Sequence, residues 1–320
     1  MKQINEINFV DLYIGDDFAD ITGMGGMQGR CVAPIELDDD IKAIRLECGK
    51  IFAKMREEEF SLNYDDIIFR VTAMNDVMGK TIYILRRSSA SIRPLADLGL
   101  AKPLIDKLLA RDMRGLVLIV GEMATGKTST ASSLVVEWLK LNGGVGIALE
   151  DPVETPLNAI WGDGKCYQIP VSDRRGGYKS AMRKALRTGS NIMLIGEIRD
   201  ETTAAEVLKA SINGHYVIST LHAGGLVQGI ERMSAYCKSE LEDTNQLMAD
   251  GLAMVIWLSS TKISTPGGAH ITRIKAHCLE VKDMVSVKAK IRDGKVSSLS
   301  DDVAQQATIL AWTMQQKLTS

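Results

Sequence analysis

The segment Gly121-Glu122-Met123-Ala124-Thr125-Gly126-Lys127-Thr128 decides the fold of this 320-residue chain. It follows an apolar, β-branched run at residues 115–120 and has the G-x-x-x-x-G-K-[ST] spacing of a phosphate-binding loop. In such a loop the glycines let main-chain N–H groups curl around an anion, and the lysine supplies a positive charge. Helix-forming residues continue to about position 141. We therefore predict a buried strand, a phosphate loop and a helix whose dipole points at the phosphates.

A chance match of this pattern in a glycine-containing turn is the alternative. The strand before the loop and the helix after it argue against chance, because that context is what a phosphate loop requires. We assign nucleotide binding to Gly121, Gly126, Lys127, Thr128 and Ser129. Thr128 is also expected to hold Mg²⁺ through the nucleotide, since its hydroxyl is the usual ligand at this position.

The composition is that of an ordinary globular protein, with 45% apolar and 24% charged residues. A net charge of −2 argues against nucleic acid as the main partner, because binding to a phosphate backbone depends on a basic excess. The five cysteines form no C-x-x-C pair, so we predict neither a zinc site nor a disulfide framework. No stretch resembles a signal peptide or a transmembrane helix, and we expect a cytoplasmic protein that meets a membrane only through partners.

Residues 1–88 predict a small α+β domain. Its predicted elements are strands near residues 9–14 and 30–35, a helix capped by Asp38, and a hairpin formed by residues 66–74 and 81–86.

Small polar residues predict a linker at residues 89–100. From residue 101 to 320, strand-like runs alternate with helical ones, which is typical of a mostly parallel sheet with crossover helices. A last helix near residues 301–317 is expected to form a peripheral tail. The fold class is therefore α/β, and its ligand site should lie at the carboxyl ends of the strands.

Three β-rich runs stop on acidic or imidazole side chains. Glu150 and Glu154 follow the first run, Glu197 follows the second, and His222 ends the third. Carboxylates at strand ends beside a Mg²⁺-bound triphosphate can hold a metal-bound water or orient the attacking one. Each residue has a structural alternative: Glu150 could close a turn, Glu197 could pair with Arg199 at the surface, and His222 could be a hydrogen-bonded structural residue. Three such strand ends together with a phosphate loop favour a catalytic site.

These segments together resemble the motifs of the secretion-type traffic ATPases, the superfamily of type IV pilus motors and of type II and type IV secretion ATPases. Residues 121–128 resemble the Walker A motif of that family, 150–154 its Asp box, 196–200 its Walker B motif and 214–222 its His box. The order and spacing of the four motifs also fit. The resemblance covers about residues 60–295.

The resemblance implies a RecA-like P-loop ATPase domain, a smaller N-terminal PAS-like α+β domain, and hydrolysis of ATP with Mg²⁺. It also implies a homo-hexamer, with nucleotide between the two domains of one subunit and arginines reaching in from a neighbouring domain. Arg70 and Arg86 match the paired arginines of the family's N-domain, whereas Arg183 and Arg187 match arginines on the helix before Walker B. For all four the alternative is a solvated surface arginine. The expected partners are inner-membrane platform or channel proteins, at the cytoplasmic side of the membrane.

We accordingly predict two sets of site residues. Catalysis is assigned to Glu197, Glu150, Glu154, His222, Arg70 and Arg86, and further nucleotide contacts to Arg183 and Arg187.

Departures from the family pattern bear on which system the chain serves. The tetracysteine insertion of type II secretion ATPases is missing, and the Ala-Ile-Arg-rich signature of pilus retraction motors is reduced to residues 290–295. These departures favour a type IV secretion or conjugation ATPase, or a divergent pilus motor. Two alternatives stay open: a nucleic-acid-stimulated P-loop translocase, and a nucleotide-gated structural subunit with little hydrolysis.

Overall fold

The computed structural model describes residues 3–26, 29–88, 92–264 and 270–319. The chain divides into two compact units. The N-terminal unit comprises Met1–Ala90 together with Asp151–Pro156 and Pro170–Arg174. The P-loop unit comprises Ser91–Glu150, Leu157–Ile169 and Arg175–Ser320. The predicted domain boundary near residue 88 did not anticipate that two short later segments group with the first unit.

The N-terminal unit combines one long helix with a six-stranded antiparallel sheet. Its elements are β1 (Asp11–Ile14), β2 (Ala19–Thr22), β3 (Arg30–Val32), α1 (Asp38–Met55), β4 (Glu59–Tyr64), β5 (Ile67–Asn75) and β6 (Thr81–Arg87). The strands are ordered β3-β2-β1-β6-β5-β4. Strands β5 and β6 form the hairpin predicted from the sequence.

Alternation along the strands gives this sheet one face buried in a core and one accessible face that carries both polar and apolar side chains. Leu12, Val71 and Leu85 are buried in a core that also takes in Ile44 and Cys48 of α1. Because side chains alternate along a strand, the neighbouring residues in the sequence point to the opposite face.

The segment Asp151–Pro156 is tied to this unit by hydrogen bonds. Ser61 Oγ donates to the main-chain oxygen of Val153 at 3.2 Å, and Ser88 Oγ donates to that of Glu154. The segment Pro170–Arg174 is held in the same way, because Ser172 Oγ donates to Glu57 Oε1. Both segments are therefore anchored by side chains of the N-terminal unit.

The P-loop unit is built on an eight-stranded sheet. In chain order its elements are α2 (Lys102–Leu108), β7 (Gly115–Gly121), α3 (Lys127–Asn142), β8 (Gly144–Glu150), β9 (Ile160–Trp161), β10 (Gly164–Pro170), α4 (Gly177–Ala185), β11 (Ile192–Ile198), α5 (Glu201–Ile212), β12 (Tyr216–His222), α6 (Leu226–Lys238), α7 (Thr244–Gly251), β13 (Leu252–Ser264), β14 (His270–Glu280), α8 (Val285–Arg292) and α9 (Leu299–Thr319).

The strands of this sheet are ordered β14-β13-β7-β12-β11-β8-β10-β9. The run β13-β7-β12-β11-β8 is parallel throughout, and β14 pairs antiparallel to β13. Strand β7 is completely buried at the centre of the sheet, which is why its sequence is continuously apolar instead of alternating. The prediction of an α/β fold with a mostly parallel sheet is confirmed.

Some sequence-based element predictions were incomplete. The sequence pattern did not indicate β2, and it predicted a strand at residues 30–35, where only Arg30–Val32 is strand. Asp38 was expected to cap α1 but is its first residue, and the N-cap position is Leu37. Asp38 still favours the helix, because a negative charge in the first turn interacts well with the helix dipole. Among the helices of the described ranges, none combines the length and the apolar character that crossing a bilayer requires.

Candidate functional site

The phosphate loop connects the end of β7 to the start of α3, as predicted. Gly126 has φ 90°, a left-handed conformation that glycine adopts without strain. Gly121 is required for a different reason. A Cβ atom there would lie 2.5 Å from Thr125 Oγ1 and 2.7 Å from the main-chain oxygen of Leu258. The loop is therefore wound too tightly for a side chain at its first position, and it forms the backbone cradle that suits a phosphate group.

Lys127 lies folded over its own loop. Its Nζ atom donates to the main-chain oxygens of Gly121, at 3.0 Å, and of Glu122, at 2.8 Å. Thr125 Oγ1 donates to the same oxygen of Glu122 at 2.9 Å. The ammonium group is thus held above the cradle, where a phosphate would meet it.

Thr128 and Ser129 occupy the first turn of α3, and both are half-buried. The first N–H groups of a helix have no acceptor within the helix, so this turn presents donors and a positive dipole end to an anion. The five predicted loop residues are therefore together at one site in the structure.

The carboxylate of Glu150 lies at the same edge of the sheet, at the end of β8. Strand register pairs Ile195 with Leu149, so Glu150 is next to Gly196 on the neighbouring strand. A Cβ atom at Gly196 would lie 3.2 Å from Glu150 Cγ, which shows how closely the two strands pack there. Glu150 is only 3% exposed, and Gln168 Nε2 donates to its Oε2 at 3.1 Å.

Glu197, the next residue on β11, is more accessible than Glu150 and makes an ion pair. Arg199 Nε donates to Glu197 Oε2 at 2.6 Å. The pairing that the sequence offered as an alternative is therefore formed. Thr220 Oγ1 donates to the main-chain oxygen of Gly196 at 2.7 Å and fixes the strand immediately before Glu197.

His222 lies directly beside the phosphate loop. In the parallel pairing of β12 with β7, His222 is the partner of Gly121. Its side chain is exposed, and Arg232 Nη1 donates to its main-chain oxygen at 2.8 Å. The main chain at His222 is thus held by both the sheet and α6.

Arg70 and Glu154, both in the N-terminal unit, form an ion pair. Arg70 Nη1 donates to Glu154 Oε1 at 3.1 Å. The sequence assigns both residues to catalysis, and the structure shows that their side chains contact each other.

Arg86 makes a two-point ion pair with Asp11. Its Nε donates to Asp11 Oδ1 at 2.7 Å and its Nη2 to Asp11 Oδ2 at 3.0 Å. This contact raises the pKa of the Arg86 guanidinium above its ordinary value, first through the hydrogen bond and then through charge attraction. Arg86 therefore stays positively charged.

Arg183 and Arg187 are exposed and belong to the segment around α4. Arg187 comes four residues before Asn191, whose Oδ1 accepts a hydrogen bond from the main-chain N–H of Val145 at the start of β8. Arg187 is therefore near the amino-terminal edge of the sheet. A seven-residue strand spans about 20 Å, so Arg187 is far from Lys127 of its own chain.

Three residues at these sites were not assigned from the sequence: Asp11, Gln168 and Arg199. Asp11 could have been found, because it is a charged residue in an otherwise apolar strand that alternates between two faces. Gln168 has no local signal, since its role depends on β10 lying next to β8. Arg199 was noticed only as a possible surface partner.

Comparison with known proteins supports the assignment of the motifs. Residues 56–260, more than half of the chain, match the family described as Type II/IV secretion system protein. The twitching motility protein of Neisseria gonorrhoeae is 25% identical over 276 residues, which cover 85% of this chain and 70% of that protein. The pilus retraction ATPase PilT of Pseudomonas aeruginosa is 28% identical over 254 residues, covering 78% and 70% of the two chains.

Solved structures show the same fold. The pilus retraction motor PilT with bound ADP superposes with a TM-score of 0.73 at 20% identity, covering 94% of this chain and 87% of that one. The ATPase DotB of Legionella pneumophila superposes with a TM-score of 0.70 at 19% identity, covering 93% and 84%. The predicted two-domain ATPase architecture and the predicted superfamily are both confirmed. The chain therefore belongs to the family described as Type II/IV secretion system protein, and with it to the superfamily of secretion and type IV pilus ATPases.

Proposed function

We propose that this chain is a motor ATPase that powers a type IV secretion or conjugation system, or a type IV pilus machine, as a homo-hexamer. It would act at the cytoplasmic side of the inner membrane, on platform or channel proteins. One observation carries the proposal: the edge of the parallel sheet that holds the phosphate loop also carries Glu150, Glu197 and His222.

The loop residues bind the phosphates of ATP. The main-chain N–H groups of the cradle and the first turn of α3 donate to phosphate oxygens, and Lys127 exchanges its main-chain acceptors for the more negative phosphate. This exchange is favourable because a charge-assisted hydrogen bond to phosphate is stronger than one to a neutral carbonyl.

The residues present also fit a magnesium ion. A threonine hydroxyl and carboxylates are oxygen ligands of the kind that Mg²⁺ prefers, so Thr128 would hold the ion together with the nucleotide. When bound, Mg²⁺ neutralises charge on the phosphate oxygens. Glu197, which is more accessible than Glu150, orients the attacking water, whereas the buried Glu150 supports the site from the neighbouring strand.

The arginines supply the remaining positive charge. Arg70 and Arg86 are in a unit that has no phosphate loop of its own, and we assign them to the phosphates of a nucleotide bound by another copy. Arg187 belongs to the P-loop unit but is near the opposite edge of its sheet, so it can contact only a nucleotide held by another copy. Both arrangements support a ring in which every site is completed by a neighbour.

The relatives and the sequence bear on the system in different directions. The two relatives described above are named for twitching motility and pilus retraction, whereas DotB shares only the fold at 19% identity. The signature of retraction motors is reduced at residues 290–295, so the proposal includes secretion, conjugation and pilus systems and leaves the direction of force open.

A second candidate is a nucleotide-gated subunit that hydrolyses ATP very slowly. The ion pair between Arg199 and Glu197 favours it, because a carboxylate oxygen that accepts from an arginine has less room to accept from a water. Measured turnover distinguishes the two functions.

The test is ATP binding and hydrolysis by the purified chain, compared with Lys127→Ala. Lys140→Ala is the matched control, because Lys140 lies on the same helix but over the ring of Trp161, away from the loop. We expect hydrolysis by the wild type and by Lys140→Ala, and loss of both binding and hydrolysis in Lys127→Ala. Unchanged binding and hydrolysis in Lys127→Ala would place the site elsewhere.

A further inference from the structure

A row of polar residues crosses five strands of the N-terminal sheet. Register pairs Thr22 with Asp11, Asp11 with Arg86, Arg86 with Arg70, and Arg70 with Ser61. Each member has at least one sequence neighbour that is buried in the core, so the row lies on the face away from α1. These neighbours are Ile21, Leu12, Leu85, Phe69, Val71, Phe60 and Leu62. Directly opposite residues in antiparallel strands have Cβ atoms about 4.5–5.5 Å apart, so each member of the row can contact the next.

Two positive charges are neighbours in this row. Like charges directly opposite each other destabilise a sheet, so Arg70 beside Arg86 needs compensation. The structure shows one carboxylate for each arginine, Glu154 for Arg70 and Asp11 for Arg86. The two carboxylates differ in origin, because Glu154 comes from a loop segment whereas Asp11 is part of the sheet itself.

The contact between Asp11 and Arg86 fixes the guanidinium without using all of its donors. Arg86 has five N–H groups, and Asp11 accepts two of them. The Asp11 side chain is 11% exposed and that of Arg86 62%, so the carboxylate is a nearly buried anchor and the guanidinium faces outward. Within the described part of the chain the other three N–H groups of Arg86 have no acceptor, so they remain for a second anion.

We propose that Asp11 is a positioning residue for the ATPase reaction: it holds Arg86 so that the three N–H groups left over meet a phosphate of the nucleotide. The inference rests on the proposed role of Arg86 and adds the residue that makes that role effective. A free arginine side chain has many rotamers, and ordering it before the nucleotide arrives removes that entropic cost from the reaction. Asp11 touches neither substrate nor reacting atoms and acts only through Arg86.

The same sheet offers a matched control. Asp20 on β2 accepts a hydrogen bond from Arg30 Nε on β3 at 2.7 Å, with side-chain exposures of 13% and 66%. This pair resembles Asp11–Arg86 in residue types and burial, but it lies outside the row of Arg70 and Arg86. If Asp11 served only to stabilise the sheet, Asp20→Asn and Asp11→Asn would have similar effects.

The test is a double-mutant cycle on steady-state ATP hydrolysis by the full chain. We expect Asp11→Asn to lower kcat by about tenfold or more, since small misplacement of a group that acts on the transition state has effects of this size. Asp20→Asn should keep the wild-type kcat. The double variant Asp11→Asn with Arg86→Ala should be no slower than Arg86→Ala alone, because Asp11 has no other path to the reaction.

The other possible outcomes show whether the inference about Asp11 or the proposed role of Arg86 is wrong. If Arg86→Ala is slow but Asp11→Asn is not, or if the two changes are additive, Asp11 is structural and the inference is wrong. If Arg86→Ala keeps full turnover, the role proposed for Arg86 fails first and the inference fails with it. Should Asp11→Asn not fold, Asp11→Glu retains the charge but displaces the guanidinium, and it enters the same cycle with the same expected non-additivity.

Discussion

Arg70 and Arg86 lie directly opposite each other on the neighbouring antiparallel strands β5 and β6, and each contacts a different carboxylate. One carboxylate balances the charge of each arginine, and the guanidinium N–H groups that the carboxylates do not accept are the donors that a phosphate would meet. Under the proposed function, these two arginines are the contribution of the N-terminal unit to hydrolysis.

The first prediction concerns these two arginines. Arg70→Ala and Arg86→Ala should fold and bind ATP, yet hydrolyse it up to about 10³–10⁵ times more slowly, which is the contribution of an arginine that stabilises charge during phosphoryl transfer. Arg30→Ala is the control, because Arg30 is on the same sheet and pairs with Asp20. Turnover is measured by phosphate release. Equal rates for all three variants would show that the arginines are surface residues.

The second prediction concerns Glu197. Glu197→Gln should bind ATP as the wild type does and lose turnover, because the amide keeps the shape of the side chain but cannot act as the carboxylate that orients water. Glu201→Gln is the control, since Glu201 is an exposed residue at the start of the next helix, α5. If Glu197→Gln still turned over at the wild-type rate, the catalytic role would pass to Glu150.

The third prediction concerns His222, the strand partner of Gly121. His222→Ala should reduce turnover without changing the metal content of the protein, because we assign the imidazole to sensing the nucleotide and not to binding a metal. His215→Ala is the control, since His215 precedes the start of the same strand, at the opposite edge of the sheet. Stoichiometric zinc that disappeared with His222→Ala would contradict this assignment.

The fourth prediction concerns thiol chemistry. Burial raises the pKa of Cys48, Cys166, Cys237 and Cys278 from 9.0 to about 12. Only the thiolate is nucleophilic, and a shift of three pKa units lowers its population about a thousandfold at pH 8. Because an acid with a raised pKa ionises only at higher pH, these four thiols stay protonated across the neutral range.

The measurement is alkylation by iodoacetamide at pH 8, followed by mass spectrometry of the native and the denatured chain. The half-buried Cys31 should be the main site of labelling in the native protein, and all five cysteines should react after denaturation. Rapid labelling of Cys166 in the native protein would contradict the packing around β8 and β10.

Local sequence predicted the phosphate loop and its sheet well, for physical reasons. Gly121, Gly126 and Lys127 are fixed by the chemistry of one contiguous loop, and the continuous apolar run before them reports a strand that is buried on both faces. No local sequence pattern predicts the order of the strands, in which β7 lies between β13 and β12.

The ion pairs of the N-terminal unit could not be predicted from the sequence, because they join residues that are far apart in the chain. The pairing of Asp11 with Arg86 joins residues that are 75 positions apart, and that of Arg70 with Glu154 joins residues 84 positions apart. The resemblance to the family marked the arginines as candidates. Only the folded structure shows that each has a carboxylate partner, Asp11 for Arg86 and Glu154 for Arg70.

The central claim is that a neighbouring copy completes each ATPase site, and the most direct test is complementation between two inactive variants. Arg86→Ala retains the loop, whereas Lys127→Ala retains the arginines. In a randomly mixed ring about a quarter of the interfaces would join an intact loop to intact arginines. We expect an equal mixture of the two variants to regain up to about a quarter of the wild-type turnover. A mixture no more active than its separate components, together with full activity of the wild type in a dilute and demonstrably monomeric sample, would contradict the shared site.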